Sequence, residues 1–243
     1  MEKYRFTEQG HRHELLVDGK WKRLTGCTTV LDVLAKNALI QWSANMAVEH
    51  FKKNKKRLEE EFDEVCSEAQ KAYAVKRDKA GDLGTDIHAI CERIIKESIK
   101  TGYSITTKEV RCNRDNKQVN HFLNWATENK VKFFESEKSV YSEKLFLGGV
   151  VDFICEIDGE IWIGDIKTGN GIYPEAFGQI AGYHIMLEEM GLYPDIKGYV
   201  VVNLKKDGTF AEKRSISNDV CQKFFLSALD IYRTKAKITN LIK

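Results

Sequence analysis

The sequence predicts an α/β sandwich, a mixed sheet flanked by helices, and three observations carry that expectation. Apolar residues recur every three or four positions through most of 27–135, as in Val30, Leu31 and Leu34 and later Phe122, Trp125 and Ala126. That is the spacing of a buried helix face. Over 138–167 the pattern changes to strand-like runs broken by turn residues. A helical segment at 175–191 then precedes Ile196–Leu204, whose Tyr199-Val200-Val201-Val202 reads as a strand buried on both faces. The order of helices, three strands, helix, strand and helix is not a regular βαβ repeat.

The elements follow in order. In 1–24, His13–Val17, Asp18-Gly19 and Lys20-Trp21 suggest a small hairpin with a tight turn. Helices follow to about residue 135. After the strands, Asp207-Gly208 begins a turn and 217–238 closes the chain as an amphipathic helix. The only prolines are Pro174 and Pro194, and no Gly/Ser-rich linker or internal repeat divides the chain. The expectation is one domain over 1–243. Its parts are a hairpin and helical elaboration at 1–80, a core at 81–205, and a C-terminal strand and helix at 206–243.

Composition bounds the class. The chain has 243 residues with 38 Lys+Arg against 36 Asp+Glu, a net charge of +2, and is 42% hydrophobic and 30% charged. Those values argue against a disordered, collagen-like or coiled-coil chain. No apolar run approaches the roughly 18–20 residues that span a bilayer. The opening Met1-Glu2-Lys3-Tyr4-Arg5 lacks a signal-peptide pattern. Six cysteines are scattered without a CxxC pair, so reduced thiols, a cytoplasmic location and no membrane partner are expected. The run Lys52-Lys53-Asn54-Lys55-Lys56-Arg57, followed by Glu59-Glu60-Glu61, fits either a solvated helix end or a set of phosphate contacts.

The most informative stretch is Gly148–Thr168. Asp158-Gly159 between two β-rich runs is a strong hairpin signal. A two-residue loop there pairs Ile157 with Glu160, Ile154 with Ile163, and Asp152 with Asp165. Two carboxylates then stand opposite each other on one face, with Lys167 two residues beyond. Like charges so placed repel, and a proton, a cation or a ligand must offset them. Oxygen-rich ligation suits Mg²⁺ or Mn²⁺. The alternative is a plain cross-strand Asp–Lys pair. A one-residue slip would put the aspartates on opposite faces.

Two helical pairs could complete such a site. Gly84-Thr85-Asp86 reads as a helix start with Thr85 at the N-cap, placing His88 and Glu92 on one face at i and i+4. Gln179 and Tyr183 are likewise i and i+4, on a helix that begins shortly after Lys167. The competing readings are a surface His–Glu pair and a buried Gln–Tyr pair satisfied by backbone. The turn Thr168-Gly169-Asn170-Gly171 is not a phosphate-binding P-loop, because no Gly-Lys-Ser/Thr follows its glycines.

In order, these residues form Gly84-Thr85-x-x-His88-x-x-x-Glu92, Glu137-x-x-Val140-Tyr141-Ser142, Gly148-Gly149-x-x-Asp152, Asp165-Ile166-Lys167-Thr168 and Gln179-x-x-x-Tyr183. The series resembles the RecB-like exonuclease branch of the PD-(D/E)XK nuclease superfamily. It is similar to stand-alone phage and bacterial exonucleases and to the mitochondrial genome maintenance exonuclease. The segment from Val17-Asp18-Gly19 through Thr28-Thr29-Val30-Leu31, with Leu39 and Trp42, resembles the N-terminal part of phage-type members.

The resemblance implies a restriction-endonuclease-like core and hydrolysis of DNA phosphodiesters. On its pattern His88, Asp152 and Asp165, helped by the Ile166 carbonyl, would bind Mg²⁺ or Mn²⁺. Lys167 would position or activate the attacking water. Gln179, Tyr183 and Thr168 would support the strand, and Glu92 matches the helix motif. An exonuclease acting on ends or single strands, in recombination, repair or phage DNA processing, is the implied activity. A structure-specific endonuclease, a silent DNA-binding adaptor and a small-molecule metalloenzyme are the alternatives. Only Cys221 follows the Gln-x-x-x-Tyr helix, so no iron–sulfur cluster is expected. With no P-loop, unwinding would need a separate helicase or recombinase.

Overall fold

The computed structural model describes residues 3–242 apart from 9, 11, 35–36, 103–104 and 106–115, and only the backbone of 37–38 and 79–85. It has two compact units, Met1–Val33 with Ile87–Lys243, and Leu34–Asp86.

In the first unit, β1 (Tyr4–Thr7), β2 (Arg12–Val17) and β3 (Lys20–Arg23) form a small antiparallel sheet. Asp18 and Gly19 close the β2–β3 turn at φ 51° and 74°, the backbone that a tight two-residue hairpin demands. The larger sheet is mixed. It contains β4 (Thr25–Gly26), β5 (Lys132–Ser142), β6 (Leu147–Ile157), β7 (Glu160–Lys167), β8 (Ile196–Leu204) and β9 (Phe210–Ser215). β5, β6 and β7 are antiparallel neighbours, β7 and β8 run parallel, and β9 returns antiparallel to β8. The β6–β7 register is the one that Asp158-Gly159 predicts, from Ile157↔Glu160 to Phe153↔Gly164.

The helices are α1 (Cys27–Leu31), α2 (Asn37–Lys53), α3 (Phe62–Lys100), α4 (Lys117–Glu128), α5 (Pro174–Glu189) and α6 (Asn218–Leu241). Side chains alternate along a strand, so β8 feeds two cores. Val200, Val202 and Leu204 join Ile94 and Ile95 of α3 and Phe122 and Trp125 of α4. Phe133 and Phe153 stack edge-on within that layer, ring centres 5.6 Å apart. On the other face, the Tyr199 hydroxyl lies 2.8 Å from His184 Nδ1 of α5. α6 packs behind α5, where Phe225 lies against Gly182.

Two expectations are corrected. α3 runs unbroken from Phe62 to Lys100, so no helix starts at Thr85 and Thr85 is no N-cap. β5 begins at Lys132 rather than 138. Its first half hides in the sequence because Lys132, Glu135 and Lys138 are spent on ion pairs with Glu156 and with each other, and a bulge follows Phe133.

The second unit holds α2, a 3₁₀ turn at Lys55–Glu59 and α3 as far as Asp86. Arg57 of the basic run pairs with Glu61 and Glu68 at 2.6 and 3.0 Å. The neighbouring lysines 52, 53, 55 and 56 are exposed. Among the described residues no helix is long and apolar enough to cross a membrane. Five cysteines are free, and Cys112 lies outside the described residues.

Candidate active site

β6 outruns its neighbours on one edge. Residues 153–157 pair with β7 and 147–148 pair with β4, which leaves 149–152 without a strand on that side. On the other edge the β5 ladder skips Asp152 and Glu137 as well, and Glu137 adopts φ 51°. Side chains from both helical layers converge on this opening. Asp152 comes from β6, Asp165 and Lys167 from β7, His88 from α3, and Gln179 and Tyr183 from α5.

The expected Asp152–Asp165 ladder pair does not form, because the hydrogen-bonded register stops one residue short. The reason is local. Asp152 Oδ2 accepts the Ile166 backbone N–H at 2.8 Å, replacing a strand partner with a carboxylate. Asp165 is 1% exposed. Its Oδ1 accepts from the Lys167 ammonium at 2.8 Å, while its Oδ2 is buried with no partner among the described residues. Lys167 also donates to Gln179 Oε1 at 3.2 Å, and Gln179 Nε2 donates to the Tyr183 hydroxyl at 2.7 Å. The Gln179–Tyr183 pair, half-buried at Gln179 and buried at Tyr183, is therefore satisfied by Lys167 rather than by backbone. His88 Nδ1 stands 3.8 Å from Asp152 Oδ2.

The glycines here are demanded by close approach. A Cβ on Gly149 would fall 2.4 Å from the Tyr183 ring, and one on Gly148 would fall 2.5 Å from His13. A Cβ on Gly164 would fall 1.8 Å from the Phe153 ring, which crosses it in the adjoining strand. Thr168 is half-buried in the turn after β7. Glu92 is not drawn into the group, since it pairs with Lys96 one turn along α3.

Burial dominates the electrostatics. It raises the carboxyls of Asp165 and Asp152 above their ordinary range, against the opposing pull of Lys167. Burial also pulls the Lys167 ammonium down, but Asp165 and Asp152 outweigh it and the net direction is up. Lys167 is thus a charged donor at neutral pH. His88 is lowered, chiefly by burial, and stays a neutral imidazole there.

Two further residues lie near this opening to which the sequence assigned no role, although Glu137 heads the Glu137-x-x-Val140-Tyr141-Ser142 motif. Glu137 is pushed up to about 7 by burial, with Asp152 and Glu92 adding to it. Asn203 is fully buried and is the parallel-register partner of Lys167, and neither its amide oxygen nor its nitrogen has a partner among the described residues. A lone polar residue at the end of the apolar run Tyr199–Leu204 was the available signal for Asn203. For Glu137 the signal was its place at the head of the Glu137-x-x-Val140-Tyr141-Ser142 motif.

The donors suit Mg²⁺ or Mn²⁺, with two carboxylates, an imidazole and a carbonyl. The orphaned Asp165 Oδ2 is an atom that such an ion would satisfy. Among the described residues no three His, Cys, Asp or Glu side chains are gathered closely enough to hold a metal ion together. Mg²⁺ commonly uses one or two carboxylates and completes its shell with water and substrate phosphate, so the set fits an open site.

No family model matches the chain, and no curated protein does. Among solved structures, the crystal structure of SSO0001 is similar over 60% of this chain and 74% of that one, at 12% identity and a TM-score of 0.27. A likeness of that size carries no argument about this protein.

Proposed function

We propose that the protein is a divalent-metal-dependent deoxyribonuclease with a restriction-endonuclease-like core, an exonuclease acting on DNA ends or single strands in recombination, repair or phage DNA processing. The observation that supports this most is the buried, unpartnered oxygen of Asp165 beside Asp152, with a lysine held on the same carboxylate. Asp152 and Asp165 would hold the ion, with His88 and the Ile166 carbonyl beside them. Once bound, it would supply Lewis-acid polarisation of the phosphodiester and acidify a water.

The chain's own residues have definite tasks in this reading. Lys167 keeps its ammonium and offers N–H donors to the attacking water or to a phosphate oxygen, offsetting the charge that develops in an in-line displacement. Asp165 and Gln179 aim that ammonium from two sides, and Tyr183 fixes the Gln179 amide. His88 stands beside Asp152, whose other contact is the Ile166 N–H of the strand that bears Asp165 and Lys167.

The test is a time course on 5′- and 3′-labelled single- and double-stranded DNA with Mg²⁺, Mn²⁺ or chelator. Metal-dependent release of nucleotides is expected, and covalently closed circles should stay intact. Cutting of circles would assign an endonuclease. DNA binding without hydrolysis under any metal would leave an adaptor.

A further inference from the structure

A cavity lies where the chain leaves the turn that follows Lys167, at Ile172–Pro174. It has a volume of about 520 Å³ and is lined by the rings of Tyr173, Phe177 and Phe224, by Val220, and by Lys213 and Arg214. That volume is in the range of ligand-binding clefts, roughly 300–1,000 Å³. No carboxylate is among its lining residues, while two cations are. Arg214 is committed, pairing with Glu212, donating to Asn129 Oδ1 at 2.6 Å and lying over the Trp162 ring. Lys213 is exposed and has no ion pair among the described residues. Tyr173 is 54% exposed, and its ring lies 3.4 Å from where a Gly171 Cβ would stand, so the glycine leaves the ring room at the rim.

An open aromatic face costs water contacts, and a free cation beside it selects a ligand that has both a π-surface and a negative charge. An unpaired nucleotide has both, and aromatic platforms with basic side chains are how sequence-tolerant single-strand sites are built. We infer that this cavity binds an unpaired base of a polynucleotide strand, stacked on Tyr173 with its phosphate at Lys213. Tyr173 is six residues from Lys167, a chain reach of at most about 20 Å. One strand could therefore occupy both places. The inference rests on the nuclease reading for its ligand class, but its binding step needs no metal.

The test is fluorescence anisotropy of a labelled single-stranded oligo-dT in chelator. Tyr173→Ala should weaken binding about tenfold and Tyr173→Phe should restore it, because stacking survives without the hydroxyl. Lys213→Ala should lower the salt slope by about 0.7. On an abasic strand of equal length, wild type and Tyr173→Ala should bind equally. Equal affinity of wild type and Tyr173→Ala for oligo-dT would overturn the inference, as would absence of binding by the wild type or the same loss on the abasic strand. Hydrolysis with Mn²⁺ is measured on the same samples. Hydrolysis without a Tyr173 effect would sink the cavity alone, and a Tyr173 effect without hydrolysis would sink the nuclease reading alone.

Discussion

Asp165 gives one carboxylate oxygen to the Lys167 ammonium at 2.8 Å and keeps the other buried without a hydrogen-bond partner among the described residues. A buried acceptor left in that state costs free energy comparable to a lost hydrogen bond. A divalent ion at this oxygen should therefore stabilise the folded chain. At about 100 times its dissociation constant the gain is about 2.7 kcal/mol, several degrees in Tm for a chain of this size. Calorimetry with MnCl₂ against chelator checks this. Asp165→Asn should lose the rise, and an equal rise in both proteins would place the ion elsewhere.

Lys167→Ala should lower the rate of nucleotide release about 10²–10³-fold, the scale for losing one preorganised donor. Gln179→Leu and Tyr183→Phe should each cost less, about 5–10-fold, since each removes one hydrogen bond that aims the amine. The double variant should fall short of the product of the two, because both act through Lys167. An unchanged rate in Gln179→Leu would mean that Asp165 alone holds the amine.

Gly164→Ala should destabilise the fold by at least about 1–3 kcal/mol, because the new methyl would meet the Phe153 ring at 1.8 Å. Chemical denaturation measures it. Combining it with Phe153→Leu should return part of the loss, as coupling between contacting residues requires. Simple additivity of the two losses would show that the ring is not the obstacle.

Glu137 has a folded-state pKa of about 7 against an ordinary 4.5, chiefly through burial. A carboxyl raised in the folded state contributes stability that is full below its ordinary value and is lost as pH rises through about 7. Glu137→Gln removes that loss. The variant should match wild type near pH 4.5 and exceed it at pH 8 by about 1 kcal/mol, once solvent screening is allowed for. Urea titrations at the two pH values decide it, and a constant difference would remove Glu137 as the cause.

Asn203→Leu should raise stability by about 1–2 kcal/mol, because two buried amide atoms without partners give way to an apolar side chain of similar size. A higher urea midpoint at unchanged slope is the expected record. A lower midpoint would mean that the amide is satisfied in solution by a bound water.

How much of this was legible depends on the range of the interaction. The β6–β7 register could be read from Asp158-Gly159, because φ 54° and 81° at those two residues set the pairing of the strands they join. β8 could be read from one apolar run, and α5 from the spacing of its apolar residues. The end of the β6–β7 ladder could not, because it turns on a single bond from the Ile166 N–H to the Asp152 carboxylate. The continuation of α3 through Thr85 was equally hidden, since a plausible cap residue only competes with propagation and does not stop it.

The amino-acid order alone accounts for the α/β class, the hairpin and the set of residues worth testing, because periodicity and turn chemistry act within a few neighbours along the chain. The opening beside Asp152 is a property of the folded molecule. It exists because β4 and β7 each cover only one end of β6, and because His88 and Tyr183, 95 residues apart in the chain, reach the space between them from α3 and α5. Packing between distant segments made that space, and it left Asp165 Oδ2 and Asn203 buried without partners.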